Sequence, residues 1–251
     1  MQPFLQQPNP SMTISARLHS GRYDAAIVDL DGTLVDTLGD FVVALRLMLA
    51  DLLPGEPAGE TLDAAAVGRM VGQGSEHLVK SVLNHVLAQS GWADAAMDSV
   101  ALYERAQASY QRHYAAINGQ HSTLYPGVIE GLESLQKSGL PLVCLTNKPL
   151  AFARSLLRLK QLDGFFSEVF GGDSFERKKP DPLPLVKACE FLGTLAARTL
   201  MIGDSSNDAR AARAAGCPVL LVTYGYNHGE PVRGVDADGF VDSLAELSAR
   251  R

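Results

Sequence analysis

The chain has 251 residues, room for one ordinary domain or two smaller ones, and its 46% hydrophobic and 20% charged residues exclude whole-chain disorder and fibrous architectures. The 22 basic against 28 acidic residues leave a net charge of -6, so no overall positive field exists to hold nucleic acid. Three cysteines, Cys144, Cys189 and Cys217, form no Cys-x-x-Cys pair, and their odd number cannot close a full disulfide set; a reducing cytoplasm fits them best.

Residues 1–20, rich in Gln, Pro, Asn and Ser, carry neither periodicity nor the apolar run of a secretion signal, and are expected to form a disordered tail. Met12 is a second candidate initiator. Ala25-Ala26-Ile27-Val28 is a short apolar run ahead of polar residues and Gly32, the pattern of a strand buried on both faces of a parallel sheet. Residues 36–121 then show helical periodicity and no convincing strand. Phe41, Ala44, Leu45, Met48, Leu49 and Leu52 make one apolar stripe. Arg46 and Asp51 interrupt it, and it is shorter than the roughly 20 apolar residues that cross a bilayer. A helical insertion over 36–121 is expected, joined through 34–36 and 121–126 and lying over the carboxyl edge of the sheet.

From residue 122 onward, helix and strand alternate. Val128, Leu132 and Leu135 precede Gly139, and Leu185, Cys189 and Leu192 precede Gly193; each glycine suits a helix C-terminus. Pro149 and Pro182 suit the first turns of helices. Strands are expected at 140–146, 199–202 and 219–223, with weaker candidates at 168–170 and 240–241. The alternation predicts an α/β doubly wound sheet, which binds ligands outside the carboxyl ends of its strands. The domains expected are a tail (1–20), a core from two segments (21–35 and 122–251) and a helical cap (36–121).

Four polar clusters follow predicted strands: Asp29-Leu30-Asp31-Gly32-Thr33, Thr146-Asn147, Lys178-Lys179-Pro180-Asp181-Pro182, and Gly203-Asp204-Ser205-Ser206-Asn207-Asp208. Singly, each has a plainer reading. Asp-Gly is a turn signal, Thr146-Asn147 can cap a helix at Pro149, and Lys178 and Lys179 can be surface lysines. Jointly they meet at one sheet edge. Asp29, Asp31, Asp204 and Asp208 would crowd four negative charges against Lys179, and two like charges 4 Å apart repel by about 4 kcal/mol at an effective dielectric of 20. Protons or a divalent cation must offset that, and an all-oxygen site without His or Cys suits Mg²⁺, which often shares its shell with a substrate phosphate. Asp29 and Asp31 fall on one side of an extended segment, and Gly32 permits a sharp turn after them. Two carboxylates with different neighbours can divide the work of nucleophile and general acid/base.

These residues resemble the four motifs of the haloacid dehalogenase superfamily over residue 23 to the C-terminus. The resemblance implies a Rossmann-like core with an inserted all-helical cap. It also implies Asp29 as nucleophile, Asp31 as general acid/base, and Thr146 and Lys179 as ligands of the phosphoryl oxygens. Mg²⁺ would be held by the Asp29 and Asp204 side chains and the Asp31 backbone carbonyl, with Asp208 supporting either the metal or Lys179, and Asn147 and Gly32 in supporting places. An Asp at position 31 favours a phosphatase over a dehalogenase, because a departing alkoxide needs a proton and a halide does not. Leu30 to Asp36, Thr146-Asn147-Lys148-Pro149, Lys178 to Pro182 and Thr223 to Gly229 further resemble the bacterial phosphoglycolate phosphatases, a family that hydrolyses 2-phosphoglycolate to glycolate and phosphate with Mg²⁺. A sugar-phosphate phosphatase, such as one acting on N-acetylmuramic acid 6-phosphate, and a sugar phosphomutase share the same motifs. So could an idle binding module on the same fold, although the intact acidic and lysine positions argue against it. In the helical segment, Val71-Gly72-Gln73-Gly74-Ser75-Glu76-His77 is either a helix-to-helix turn or a substrate contact through Gly72, Gly74 and His77, with Arg69 and Lys80 as further cations. The partner expected is a small phosphorylated metabolite, with neither nucleic acid nor membrane, and the state a monomer or small homo-oligomer.

Overall fold

A computed structural model describes residues 21–53, 62–90 and 99–248. The expected tail, 1–20, lies outside the described residues. Six parallel strands form one sheet, β1 (Ala25–Val28), β4 (Leu142–Leu145), β5 (Glu168–Phe170), β6 (Thr199–Gly203), β7 (Val219–Val222) and β8 (Gly239–Val241), in the order β5-β4-β1-β6-β7-β8. The central strands are buried throughout, and apolar but for Thr199 in β6, because both faces are covered. Ala26 and Val28 of β1 enter one buried cluster with Leu132, Leu135, Leu156 and Leu157, while Ile27 between them enters the other with Leu185, Ala188, Ala209 and Ala212. The first cluster takes helices α5 (Val128–Lys137) and α6 (Leu150–Leu159), the second α7 (Leu183–Leu192) and α8 (Ser206–Ala215). This is the α/β class expected.

Details differ from the sequence reading. The strand over 140–146 is shorter, starting after Pro141, which has no N–H to give a ladder, and the strand over 219–223 stops at Val222. Pro149 and Pro182 stand at the N-cap, one place before the first helical turn. Gly193 ends its helix in the left-handed conformation, φ 65°, and Gly139, φ 78°, follows the end of α5.

Between β1 and β4 the chain leaves the sheet. Helices α1 (Leu38–Leu52), α2 (Ala64–Met70), α3 (Ser75–Ser90) and α4 (Ser99–Ile117) close over their own core, where Phe41, Leu45, Met48 and Leu49 meet Val67, Val79, Val82, Tyr110 and Tyr114. The two passages between layers pair as a ribbon, β2 (Val35–Asp36) against β3 (Thr123–Leu124), antiparallel, which periodicity had not suggested because two residues carry no period. Beside the ribbon, the buried Asp40 carboxylate accepts the N–H of Gly119 and of His121, each at 2.7 Å. Lys160 Nζ donates to the carbonyls of Gly119 (2.9 Å) and Ser122 (2.6 Å) from below. Among the described residues no helix is long and apolar enough to cross a membrane.

Candidate active site

The carboxyl ends of β1, β4 and β6 deliver polar side chains to one cavity under the helical layer. Leu30 is buried in the apolar core, so its neighbours Asp29 and Asp31 turn the other way and line the cavity together. Thr146, Asn147 and Lys148 arrive from β4, Lys179 from the loop before α7, and Asp204 and Asp208 from the turn between β6 and α8. From the helical layer come Phe41, Val71, Gly72, Gly74, Tyr110 and Tyr114. The cavity measures about 50 Å³, space for only a few water-sized groups, since one water needs roughly 10–15 Å³ on this measure.

Lys179 organises the floor. Its ammonium donates to Asp29 Oδ1 (2.7 Å), Asp208 Oδ1 (2.8 Å) and the Leu145 carbonyl (2.8 Å), and all of its partners are buried. Burial disfavours the Lys179 charge, but the Asp208 and Asp29 carboxylates outweigh it and the net shift is upward. The other oxygen of Asp208, Oδ2, accepts from the N–H of Asp204 (3.3 Å) and Ser205 (3.1 Å) and from Ser205 Oγ (2.8 Å). Both Asp208 oxygens are therefore already taken within the fold, and this carboxylate starts α8 while bracing Lys179.

Asp29, Asp204 and Asp208 bring carboxylate oxygens within 4.8 Å of one another. One ammonium does not balance three such groups. Burial pushes the Asp29 carboxyl up to about 7, with the charges of Asp208 and Asp31 adding to it and Lys179 opposing. Asp204 rises as well, through burial and then the charges of Asp208 and Asp29. The cluster thus holds surplus negative charge and presents oxygen alone, a donor set that fits a hard divalent cation. Tyr226 N–H donates to Asp204 Oδ2 at 2.7 Å and orients it. Gly32, at φ 85°, packs so close that a Cβ there would collide with the Asp204 carboxylate.

Of the other residues singled out from sequence, Thr146 is buried, and its Oγ1 accepts the Lys148 N–H at 3.2 Å rather than capping α6. Asn147 bridges two layers, its Nδ2 donating to the Lys179 carbonyl (2.8 Å) and the Gly72 carbonyl (2.9 Å). Gly72 and Gly74 line the cavity with positive φ of 113° and 92°. His77 does not belong with them: it is exposed and absent from the cavity wall, because the inward face of α3 is carried by Leu78, Val79 and Val82. Arg69 and Lys80 are likewise not in the wall.

Three further participants lay within the quoted motif segments but were given no role from sequence. Lys148 is buried and pairs with Asp31 Oδ1 at 2.7 Å; its place directly after Thr146-Asn147 was the available clue. Asn207 Nδ2 lies 3.2 Å from both the Gly72 carbonyl and His228 Nε2, tying the turn before α3 to the loop after β7. Tyr226 touches the site by its N–H, and its hydroxyl bonds Asp36 (2.9 Å) and Thr37 (2.8 Å) at the ribbon.

A parallel sheet, an acidic edge with a buried lysine, and a helical layer above it define a class of protein. The family model described as haloacid dehalogenase-like hydrolase matches residues 23–216, and the chain belongs to this family. Within it, the chain is 45% identical over 224 residues to a phosphoglycolate phosphatase of Thiobacillus denitrificans, covering 89% of this chain and 93% of the other. It is 44% identical over 225 residues to a plasmid-encoded phosphoglycolate phosphatase of Cupriavidus necator, covering 90% and 91%. Among solved structures, a predicted phosphoglycolate phosphatase from Haemophilus somnus superposes with a TM-score of 0.82 at 30% identity, covering 90% of this chain and 96% of that one.

Proposed function

We propose that the chain is a Mg²⁺-dependent cytoplasmic phosphatase that hydrolyses 2-phosphoglycolate to glycolate and phosphate. The observation that carries it is the buried convergence of Asp29, Lys179 and Asp204 beside Asp31 in one cavity. The names borne by relatives at 45% and 44% identity support the same substrate.

In this reading Asp29 attacks phosphorus, and Lys179 holds the attacking carboxylate in place through the 2.7 Å contact while facing the phosphoryl oxygens. Thr146 adds a hydroxyl at the end of β4. Asp31 protonates the departing alkoxide, then takes a proton from the water that opens the aspartyl phosphate, so the ester oxygen leaves with glycolate and Asp29 is restored. Asp29, Asp204 and the Asp31 carbonyl would hold Mg²⁺, which when bound supplies positive charge against the phosphoryl oxygens. Asp208, with both oxygens engaged, braces Lys179. Most of the acceleration comes from positioning and electrostatics.

The test is kcat/KM for 2-phosphoglycolate, sugar phosphates and N-acetylmuramic acid 6-phosphate, with and without Mg²⁺, followed by phosphate release. The expected result is a preference for 2-phosphoglycolate that vanishes on chelation. Equal rates across the panel would overturn the substrate, and product retained as a rearranged sugar phosphate would indicate a mutase.

A further inference from the structure

We infer that Lys148 and Tyr114 form the subsite that recognises the carboxylate of the substrate, beside Asp31 on the leaving-group side of the cavity. The inference rests on the reading of the chain as a phosphatase for a carboxylate-bearing ester. Lys148 carries a charge into a place that is only 3% exposed. Its ammonium lies 4.8 Å from the centroid of the Phe41 ring and 4.9 Å from that of Tyr114, both on the helical layer, while its carboxylate contact, Asp31 Oδ1, belongs to the core. Ring faces and a single carboxylate oxygen hold the cation in position beside the cavity that Lys148 lines, with donors in excess of that one hydrogen bond.

Tyr114 supplies an independent sign of a ligand. Its hydroxyl is buried with no hydrogen-bond partner among the described residues, and the side chain lines the same cavity. The ring itself is fixed, stacked on Phe41 (5.6 Å) and Tyr110 (5.5 Å) and edge-on to Phe152 (5.1 Å). A rigidly held, buried hydroxyl without a partner is costly unless something completes it. Lys148 offers only donors and Tyr114 an available one, so the group that satisfies both is an acceptor, and the buried cation makes it an anion. A carboxylate fits. An ester without it would leave both donors desolvated and unpaired, which is how a site rejects a close analogue. When the carboxylate arrives, it and Asp31 share the Lys148 ammonium, so recognition at one end of the substrate reaches the residue that protonates the leaving oxygen.

The experiment compares kcat/KM for 2-phosphoglycolate with that for ethyl phosphate, which keeps the monoester and loses the carboxylate, in the Mg²⁺-loaded wild type, Lys148→Met, Lys148→Arg and Tyr114→Phe. In Lys148→Met the ratio of the two values is expected to fall by at least about 30-fold, carried mainly by KM for 2-phosphoglycolate. Arg restores part of it. Tyr114→Phe lowers the ratio by about 5-fold or more. A Lys148→Met enzyme that loses both substrates equally would overturn the inference and leave Lys148 as a positioning residue for Asp31. If Lys148→Met fails to fold by circular dichroism, an unchanged ratio in Tyr114→Phe overturns it instead. A wild type that treats the two esters alike removes the proposed substrate itself, whereas a selective wild type with selective variants removes only the subsite.

Discussion

Lys179 Nζ and Asp29 Oδ1 meet at 2.7 Å across 150 positions of sequence, and the contact is sealed by burial on both sides. One ammonium here answers to Asp29, Asp204 and Asp208, so the site is assembled with surplus negative charge before any ligand arrives. Asp29→Asn keeps an acceptor for Lys179 and removes one of the repelling carboxylates. Phosphate release is expected to fall by at least about a thousandfold, while the melting temperature in chelator stays level or rises. Retained turnover would reject Asp29 as the nucleophile.

Lys179→Met has the opposite effect on the fold. It strips the single compensating cation from Asp29 and Asp208, and removing one partner of a buried pair costs about 3–5 kcal/mol. Urea unfolding should show that loss. In the double variant with Asp208→Asn the cost should shrink, since one stranded charge goes with it. Additive losses would mean that the pair is not coupled.

The same surplus charge makes stability depend on pH when no cation is present. Asp29 moves from 3.8 to about 7, and Asp204 moves upward also, in each case through burial and then neighbouring carboxylates. A carboxyl raised in this way keeps its proton longer folded than unfolded, so its contribution is full below pH 3.8 and is lost as pH climbs toward about 7. Mg²⁺ in place of the proton offsets the loss. The gap in melting temperature between Mg²⁺-loaded and chelated protein is therefore expected to widen between pH 4 and 7, and to widen less in Asp29→Asn. A gap independent of pH would show that the carboxylates do not govern metal-free stability.

The core strands were legible because burial on both faces leaves an uninterrupted apolar run, as in Ala25–Val28 and Val219–Val222. The polar clusters were legible because each stands where such a run stops. Spacing alone could not reveal Lys148 on Asp31, Asn147 and Asn207 on the Gly72 carbonyl, or Tyr226 on Asp204. Those contacts join segments 22 to 135 positions apart in sequence. Two of them bring neighbouring loops of the sheet edge together and two lay the helical layer onto that edge, and no local pattern encodes either. His77 stands apart from Gly72 and Gly74 for the related reason that those glycines face the cavity while its own position on α3 faces solvent.

Asp40 provides a test of how the helical layer is held. It is fully buried in the first turn of α1, where a carboxylate also meets the positive end of the helix dipole. Its two oxygens accept the N–H groups of Gly119 and His121, on the chain that returns to the sheet. Ala at this position would leave both N–H groups without an acceptor, and Asn would satisfy one through its carbonyl oxygen while facing the other with an amide donor. Asp40→Ala should lose about 3 kcal/mol of stability and Asp40→Asn about half of that. Because Tyr226 bonds Asp36 and Thr37 at the same passage and also donates to Asp204, loosening it should reach the site, and hydrogen exchange at Gly119 and His121 should quicken together with that of Tyr226. Exchange that quickens at Gly119 and His121 alone would show that the passage and the acidic cluster move independently.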